Sequence, residues 1–203
     1  GVIDNQMLAP LAILGGLQLC RWKPAVPYIN WRRRHSCGKL PKTDAGERMR
    51  VLVISDVHSN LTALQAVLDD AGEVDITWSL GDIVGYGPEP NECIQTLQSR
   101  PHVAVAGNHD WGVLGKLDLA DFNEDARIAN LWNREQLTFE SLAYLQALPE
   151  KRIEGVCTLT HGSPRHPIWE YVISTSVADA NFAYFDTPIC LVGHTHVPIL
   201  FRQ

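Results

Sequence analysis

Val51-Leu52-Val53-Ile54-Ser55-Asp56-Val57-His58 sets a short apolar run against a carboxylate and an imidazole. Continuous apolar runs of this length read as strands buried on both faces. In open α/β sheets, ligands gather beyond the carboxyl ends of such strands. The same pattern returns four times. Ile76-Thr77-Trp78-Ser79-Leu80 leads into Gly81-Asp82, and Val103-Ala104-Val105-Ala106 into Gly107-Asn108-His109-Asp110. Val156-Cys157-Thr158-Leu159-Thr160 leads into His161-Gly162, and Ile189-Cys190-Leu191-Val192 into Gly193-His194-Thr195-His196. Five strand ends that each carry metal-seeking or acid–base groups predict one shared pocket.

Between the runs the apolar period changes to that of a helix, which is the mark of an α/β domain. Asn60 is placed to cap a helix carrying Leu61, Leu64, Val67, Leu68 and Ala71, with Gly72 as its stop. A second helix starts near Pro90-Asn91. A longer helical insertion follows the third strand, with Ala126, Ile128, Leu131 and Trp132 at core spacing, then Thr138 capping Phe139 to Leu148 before Pro149. Ser176 to Phe185 reads as a last helix. Trp78 and Trp132 are expected in the core.

The charge changes sign along the 203 residues. Residues 1–48 hold eight Lys/Arg against three acidic groups, a net +5, whereas the remainder holds nine basic and twenty acidic residues, a net −11. This divides the chain into a basic N-terminal extension over 1–48, read as disordered or adventitious, and a folded domain over 49–203. The apolar stretch Met7–Cys20 is shorter than the roughly 20 residues a membrane span needs, and its basic residues follow rather than precede it. An acidic body disfavours nucleic acid as a partner, because phosphate neutralisation needs clustered Lys and Arg. Five cysteines, two of them inside strand runs, fit a reducing, cytoplasmic setting.

The strand-end residues suit a particular chemistry. Asp56 and Asp82 are 26 residues apart, as are Asp82 and Asn108, the spacing of successive βα units. A carboxylate such as Asp82 has two oxygens and can bridge two cations roughly 3.5–4 Å apart. Asn108 adds a neutral carbonyl oxygen. The imidazoles of His161, His194 and His196 suit Mn, Fe, Zn, Co or Ni better than Mg or Ca.

Taken together, Asp56-x-His58, Gly81-Asp82, Gly107-Asn108-His109-Asp110, His161-Gly162 and Gly193-His194-x-His196 closely resemble the motifs of the calcineurin-like metallophosphoesterase family. The resemblance covers residues 50–203. It implies an α/β fold, a sandwich of two mixed β-sheets flanked by helices (α/β/β/α). It implies two divalent transition-metal ions, Mn first, with Fe, Zn, Ni or Co as alternatives. One would be held by Asp56, His58 and His196, the other by Asn108, His161 and His194, with Asp82 bridging. His109 would protonate the leaving oxygen or stabilise charge on the phosphoryl group, with Asp110 orienting it. The implied function is hydrolysis of phosphodiesters, nucleotides or phosphomonoesters by metal-activated water.

Two departures bear on substrate and completeness. Gly81-Asp82-Ile83-Val84-Gly85-Tyr86-Gly87-Pro88 lacks the Asp-Arg-Gly segment of the protein Ser/Thr phosphatases, so the chain looks more like small bacterial phosphodiesterases and diadenosine-tetraphosphatase-like enzymes. Tyr86 is a candidate for stacking on a base or phenyl group, and Arg165 for reaching a substrate phosphate. The chain also stops seven residues past His196, whereas family members continue, which suggests truncated C-terminal strands. The rival functions are a metal-binding scaffold without catalysis and a nuclease.

Overall fold

A computed structural model describes residues 49–203 and the backbone of residues 10–13. Strands β2 (Val51–Ile54), β3 (Ile76–Ser79) and β4 (His102–Ala104) form a parallel sheet in that order. A second, mixed sheet contains β5 (Lys151–Glu154), β6 (Cys157–Thr160), β7 (Ile189–Val192), β1 (Pro10–Ile13) and β8 (Ile199–Arg202), in the order β5-β6-β7-β1-β8. Its inner pairs β6–β7 and β7–β1 are parallel, and its outer pairs are antiparallel. The expectation for residues 1–48 lies outside the described residues except at Pro10–Ile13, the four positions of β1.

Side-chain alternation along the strands sorts three cores, because successive residues point to opposite faces. Leu52 and Ile54 face helices α1 (Leu61–Ala71), α2 (Pro90–Gln98), α3 (Asn108–Leu114) and α5 (Phe139–Gln146), with Leu64, Ile94, Leu97 and Leu145 fully buried. Val51 and Val53 face the other way, where Trp78, Leu80, Val103 and Val105 meet Cys157 and Leu159 of the second sheet. Beyond that sheet, Cys190 and Val192 pack on Val172 and on Ala178 of α6 (Thr175–Asn181). The layers are therefore helix, sheet, sheet, helix. Among the described residues no helix is long and apolar enough to cross a membrane.

The helix ends follow local chemistry. Asn60 Oδ1 accepts the Ala63 N–H at 2.9 Å, Asn123 Oδ1 the Ala126 N–H at 2.9 Å, and Thr138 Oγ1 the Ser141 N–H at 3.2 Å. The last helix is shorter than its pattern suggests, with Phe182–Tyr184 as a separate 3-10 turn.

Helix α4 (Glu124–Gln136) departs most from expectation. Ala126 is buried, but Ile128, Leu131 and Trp132 are 53%, 39% and 40% exposed. The inward positions belong to Ala126, Asn130 and Asn133. This overturns the reading of Trp132 as core. The physical reason is the polar surroundings that α4 faces, described next.

Candidate metal centre

Each strand of the first sheet ends in a loop whose backbone is tied to its neighbour. Asp56 N donates to Gly81 O at 3.1 Å, His58 N to Asp82 O at 2.9 Å and Ser59 N to Ile83 O at 3.0 Å. The chain must turn sharply to make these bonds and still aim its side chains at one point. Among the described residues, seven other than glycine adopt the left-handed region, Asp56, His58, Ser59, Asp82, Tyr86, His194 and His196, with φ between 51° and 68°. L-residues rarely occupy this region, and strain of this kind collects at functional sites.

The donors converge on two foci that share one oxygen. Asp82 Oδ2 lies 3.8 Å from His58 Nε2 and 3.3 Å from His161 Nε2. On the first side, His58 Nε2 and His196 Nε2 are 3.2 Å apart, and Asp56 Oδ1 is 3.2 Å from His196 Nε2. On the second, His161 Nε2 is 3.0 Å from Asn108 Oδ1 and 3.1 Å from His194 Nδ1. The side chains are buried except for His196, which stands half-exposed at the rim.

These residues fit divalent metal ions. His58 and His161 each turn Nδ1 to a backbone carbonyl, of Val84 at 3.3 Å and Leu80 at 2.8 Å, which leaves the Nε2 lone pair for a ligand. Asp56 Oδ1 is buried with no hydrogen-bond partner. Asp56, His58 and His196 offer ligand atoms within 4.8 Å of one another, as do Asp82, His161 and His194.

A family model described as calcineurin-like phosphoesterase matches residues 49–198. The chain belongs to that family. It is 45% identical over 157 residues to an uncharacterized protein of Methanocaldococcus jannaschii, an alignment covering 74% of this chain and 63% of that protein. The crystal structure of a metallophosphoesterase from Sphaerobacter thermophilus is similar at 56% identity and a TM-score of 0.67, over 74% of this chain and 62% of that one. A hypothetical protein from Pyrococcus horikoshii shares the fold at 19% identity and a TM-score of 0.63, over 75% of each chain. The chain thus spans about three-fifths of the length of the first two relatives.

The electrostatics of this calcineurin-like phosphoesterase follow from burial and mutual charge. Burial pushes the Asp82 carboxyl up, but His161, His109 and His58 together hold it far below the usual carboxylate range. Burial works against a charge on His161 as well, yet the carboxylates of Asp82 and Asp56 raise it to about 9. A proton on His161 Nε2 and a divalent cation answer the same negative field. Burial lowers His109 and His194 to about 4.

Three other expected residues have defined places. Tyr86 lines a cleft of about 270 Å³ together with His58, Asp82, Asn108, His109 and His194. The hydrogen bonds of Asp110 go to the backbone and not to the His109 ring. Its Oδ1 accepts the N–H groups of Ile83 at 3.0 Å and Val84 at 3.1 Å, and its Oδ2 that of Gly107 at 2.9 Å. Burial, reinforced by the charge on Asp82, pushes this carboxyl up to about 7. Arg165 is not brought to the cleft; its guanidinium is engaged by Glu170, which also accepts from Ser163 Oγ and Asn181 Nδ2.

The sequence reading missed three neighbours of the site. Asn130 Nδ2 lies 3.0 Å from His109 Nδ1. Asn133 Oδ1 accepts from Ser59 Oγ at 2.6 Å and Gly85 N at 3.2 Å. Tyr171 stacks on His194 at a ring-centroid distance of 3.8 Å. The two asparagines left one signal, polar residues at i, i+3 spacing on the face that Ala126 begins.

Proposed function

We propose that this protein hydrolyses small phosphoesters, namely phosphodiesters, nucleotides or phosphomonoesters, with two divalent transition-metal ions, Mn first and Fe, Zn, Ni or Co as alternatives. The observation that carries the reading is the pair of donor foci sharing Asp82 Oδ2, with His109 beside them. Asp56, His58 and His196 would hold one ion, Asn108, His161 and His194 the other, and Asp82 both. When bound, such ions polarise phosphoryl oxygens and lower the pKa of water. His109 reaches the phosphoryl group from the cleft wall. Asp110 fixes the Ile83–Val84 turn, and so the height of Asp82, rather than acting on substrate. Tyr86, 47% exposed over the cleft, offers a face to an aromatic leaving group. The acidic body favours a small substrate over a polyanion, and buried free thiols at Cys93, Cys157 and Cys190 suit the cytoplasm.

The test is hydrolysis of bis-p-nitrophenyl phosphate, p-nitrophenyl phosphate, mononucleotides and dinucleoside polyphosphates by Mn²⁺-loaded protein. Turnover is expected to depend on metal and to vanish in Asp82→Asn. His109→Ala is expected to lower kcat by about 10²–10⁴-fold. Stoichiometric metal binding with no hydrolysis of any ester would sink the proposal in favour of a scaffold. Salt-sensitive cleavage of DNA alone would favour the nuclease.

A further inference from the structure

We propose that Asn130 is a positioning residue that fixes the tautomer of His109, placing its proton on Nε2, where the ring acts as a hydrogen-bond donor to the phosphoryl group. The catalytic part rests on the hydrolytic function proposed above; the tautomer does not.

His109 is held on every side. It lies in the first turn of α3, where its own N–H donates to Asp82 Oδ1 at 2.8 Å. Phe122 meets its ring edge-on at 5.2 Å, and His58 and Tyr86 approach to 4.7 Å between centroids. Gly85, at φ +100°, lies against the Nδ1 edge so closely that a Cβ there would collide with the ring. The hydrogen bond to Nδ1 comes from Asn130.

The orientation of that amide decides the proton's place. Asn130 Nδ2 also donates to the Ala126 carbonyl at 2.8 Å, one turn back along α4. Reversing the amide would set Oδ1 against that carbonyl oxygen, acceptor on acceptor. The NH₂ group therefore spends one proton on Ala126 and points the other at Nδ1, which must accept with its lone pair. The imidazole proton then sits on Nε2, the nitrogen left for the cleft. The hydrogen bonds of Asp110, the nearby carboxylate, come from backbone amides, and the side-chain partner at His109 Nδ1 is Asn130.

A buried amide is costly unless bonded, so its presence on the inward face of a helix needs a reason. Asn130 and Asn133 are both fully buried while Ile128 and Leu131 of the same helix face solvent. Asn133 ties Ser59, Gly85 and Gly87, and Asn130 ties His109, so one helix holds both walls of the cleft. The chemical consequence is that Nε2–H is held ready to donate to a phosphoryl oxygen, whereas the opposite tautomer would turn a lone pair to the same negatively charged group.

Two readouts test this independently. In Zn²⁺-loaded protein labelled with ¹⁵N-histidine, the His109 signals, identified by their loss in His109→Gln, are expected to show a protonated Nε2 and a bare Nδ1. Asn130→Ala is expected to mix the tautomers and lower kcat about tenfold with KM unchanged. Asn130→Asp, which offers an acceptor to Nδ1, is expected to move the proton to Nδ1 and to lower kcat further than Asn130→Ala does, with KM unchanged. A wild-type proton on Nδ1, or a tautomer unchanged in both Asn130→Ala and Asn130→Asp, overturns the inference. The expected tautomer in a protein that hydrolyses nothing would instead overturn the function proposed above.

Discussion

A Cβ at position 107 would collide with Asp82 Oδ1 and with the Asp82 backbone nitrogen, so the carboxylate proposed to bridge the ions sits where it does because Gly107 has no side chain. Gly107→Ala is expected to destabilise the fold by about 1–3 kcal/mol through overpacking. It is also expected to weaken metal binding by about 10–100-fold, as loss of outer support for a ligand does. Denaturant unfolding and calorimetric titration with Mn²⁺ measure the two effects; unchanged metal affinity would show that Asp82 can relax. The metal-ligand candidates were legible in sequence because strand ends and donor chemistry point the same way. The role of Asp110 beside His109 was an expectation from the family resemblance, and the backbone bonds it makes were not legible in the sequence. On a helix, consecutive side chains diverge by about 100°, and Asp110 instead meets the amides of Ile83 and Val84. Asn130 was illegible, since a lone amide in a helical pattern does not announce which ring it will face.

Among the elements, the irregular segment from His161 to Ser174 is held by backbone turn bonds and by the partners gathered around Glu170. Burial of Glu170 pulls its carboxyl upward, but hydrogen bonds from Arg165, Asn181 and Ser163 win and hold it down at about 2 against an ordinary 4.5. A carboxyl lowered on folding contributes stability that is complete above the unfolded pKa and is lost as pH falls through the folded one. The contribution is therefore expected to fade between about pH 4.5 and 2. Glu170→Gln is expected to lower the urea midpoint at pH 6, with the gap to wild type closing as pH falls through that window. A constant gap would assign the effect to packing. Helix α1 was readable from Asn60 to Gly72 because cap, period and stop agreed. Strand β5 was not, because Lys151, Arg152 and Ile153 are exposed at a sheet edge and give no apolar run.

For the molecule as a whole, the ligand candidates divide between the sheets. Asp56, His58, Asp82 and Asn108 follow strands of the parallel sheet, whereas His161, His194 and His196 follow strands of the mixed one. Metal binding is thus expected to fasten the sheets together and raise the unfolding temperature. The gain is about 2.7 kcal/mol at a free-metal concentration a hundredfold above Kd, and thermal scans with and without Mn²⁺ report it. Asp82→Asn should abolish the shift; its persistence would place the ion elsewhere. The α/β character was legible because apolar runs alternate with helical periods, the two-sheet layering came from the family resemblance, and the face each strand gives to each core emerged only from the packing. The first core draws on residues between Leu52 and Leu148 alone, so during synthesis it has all its parts while the last two histidines are still unmade. At ribosomal rates that interval is on the order of seconds. We expect a nascent chain halted with residue 150 clear of the ribosomal tunnel to resist protease already, yet to hold metal weakly; a protease-sensitive chain at that length would refute this order of events.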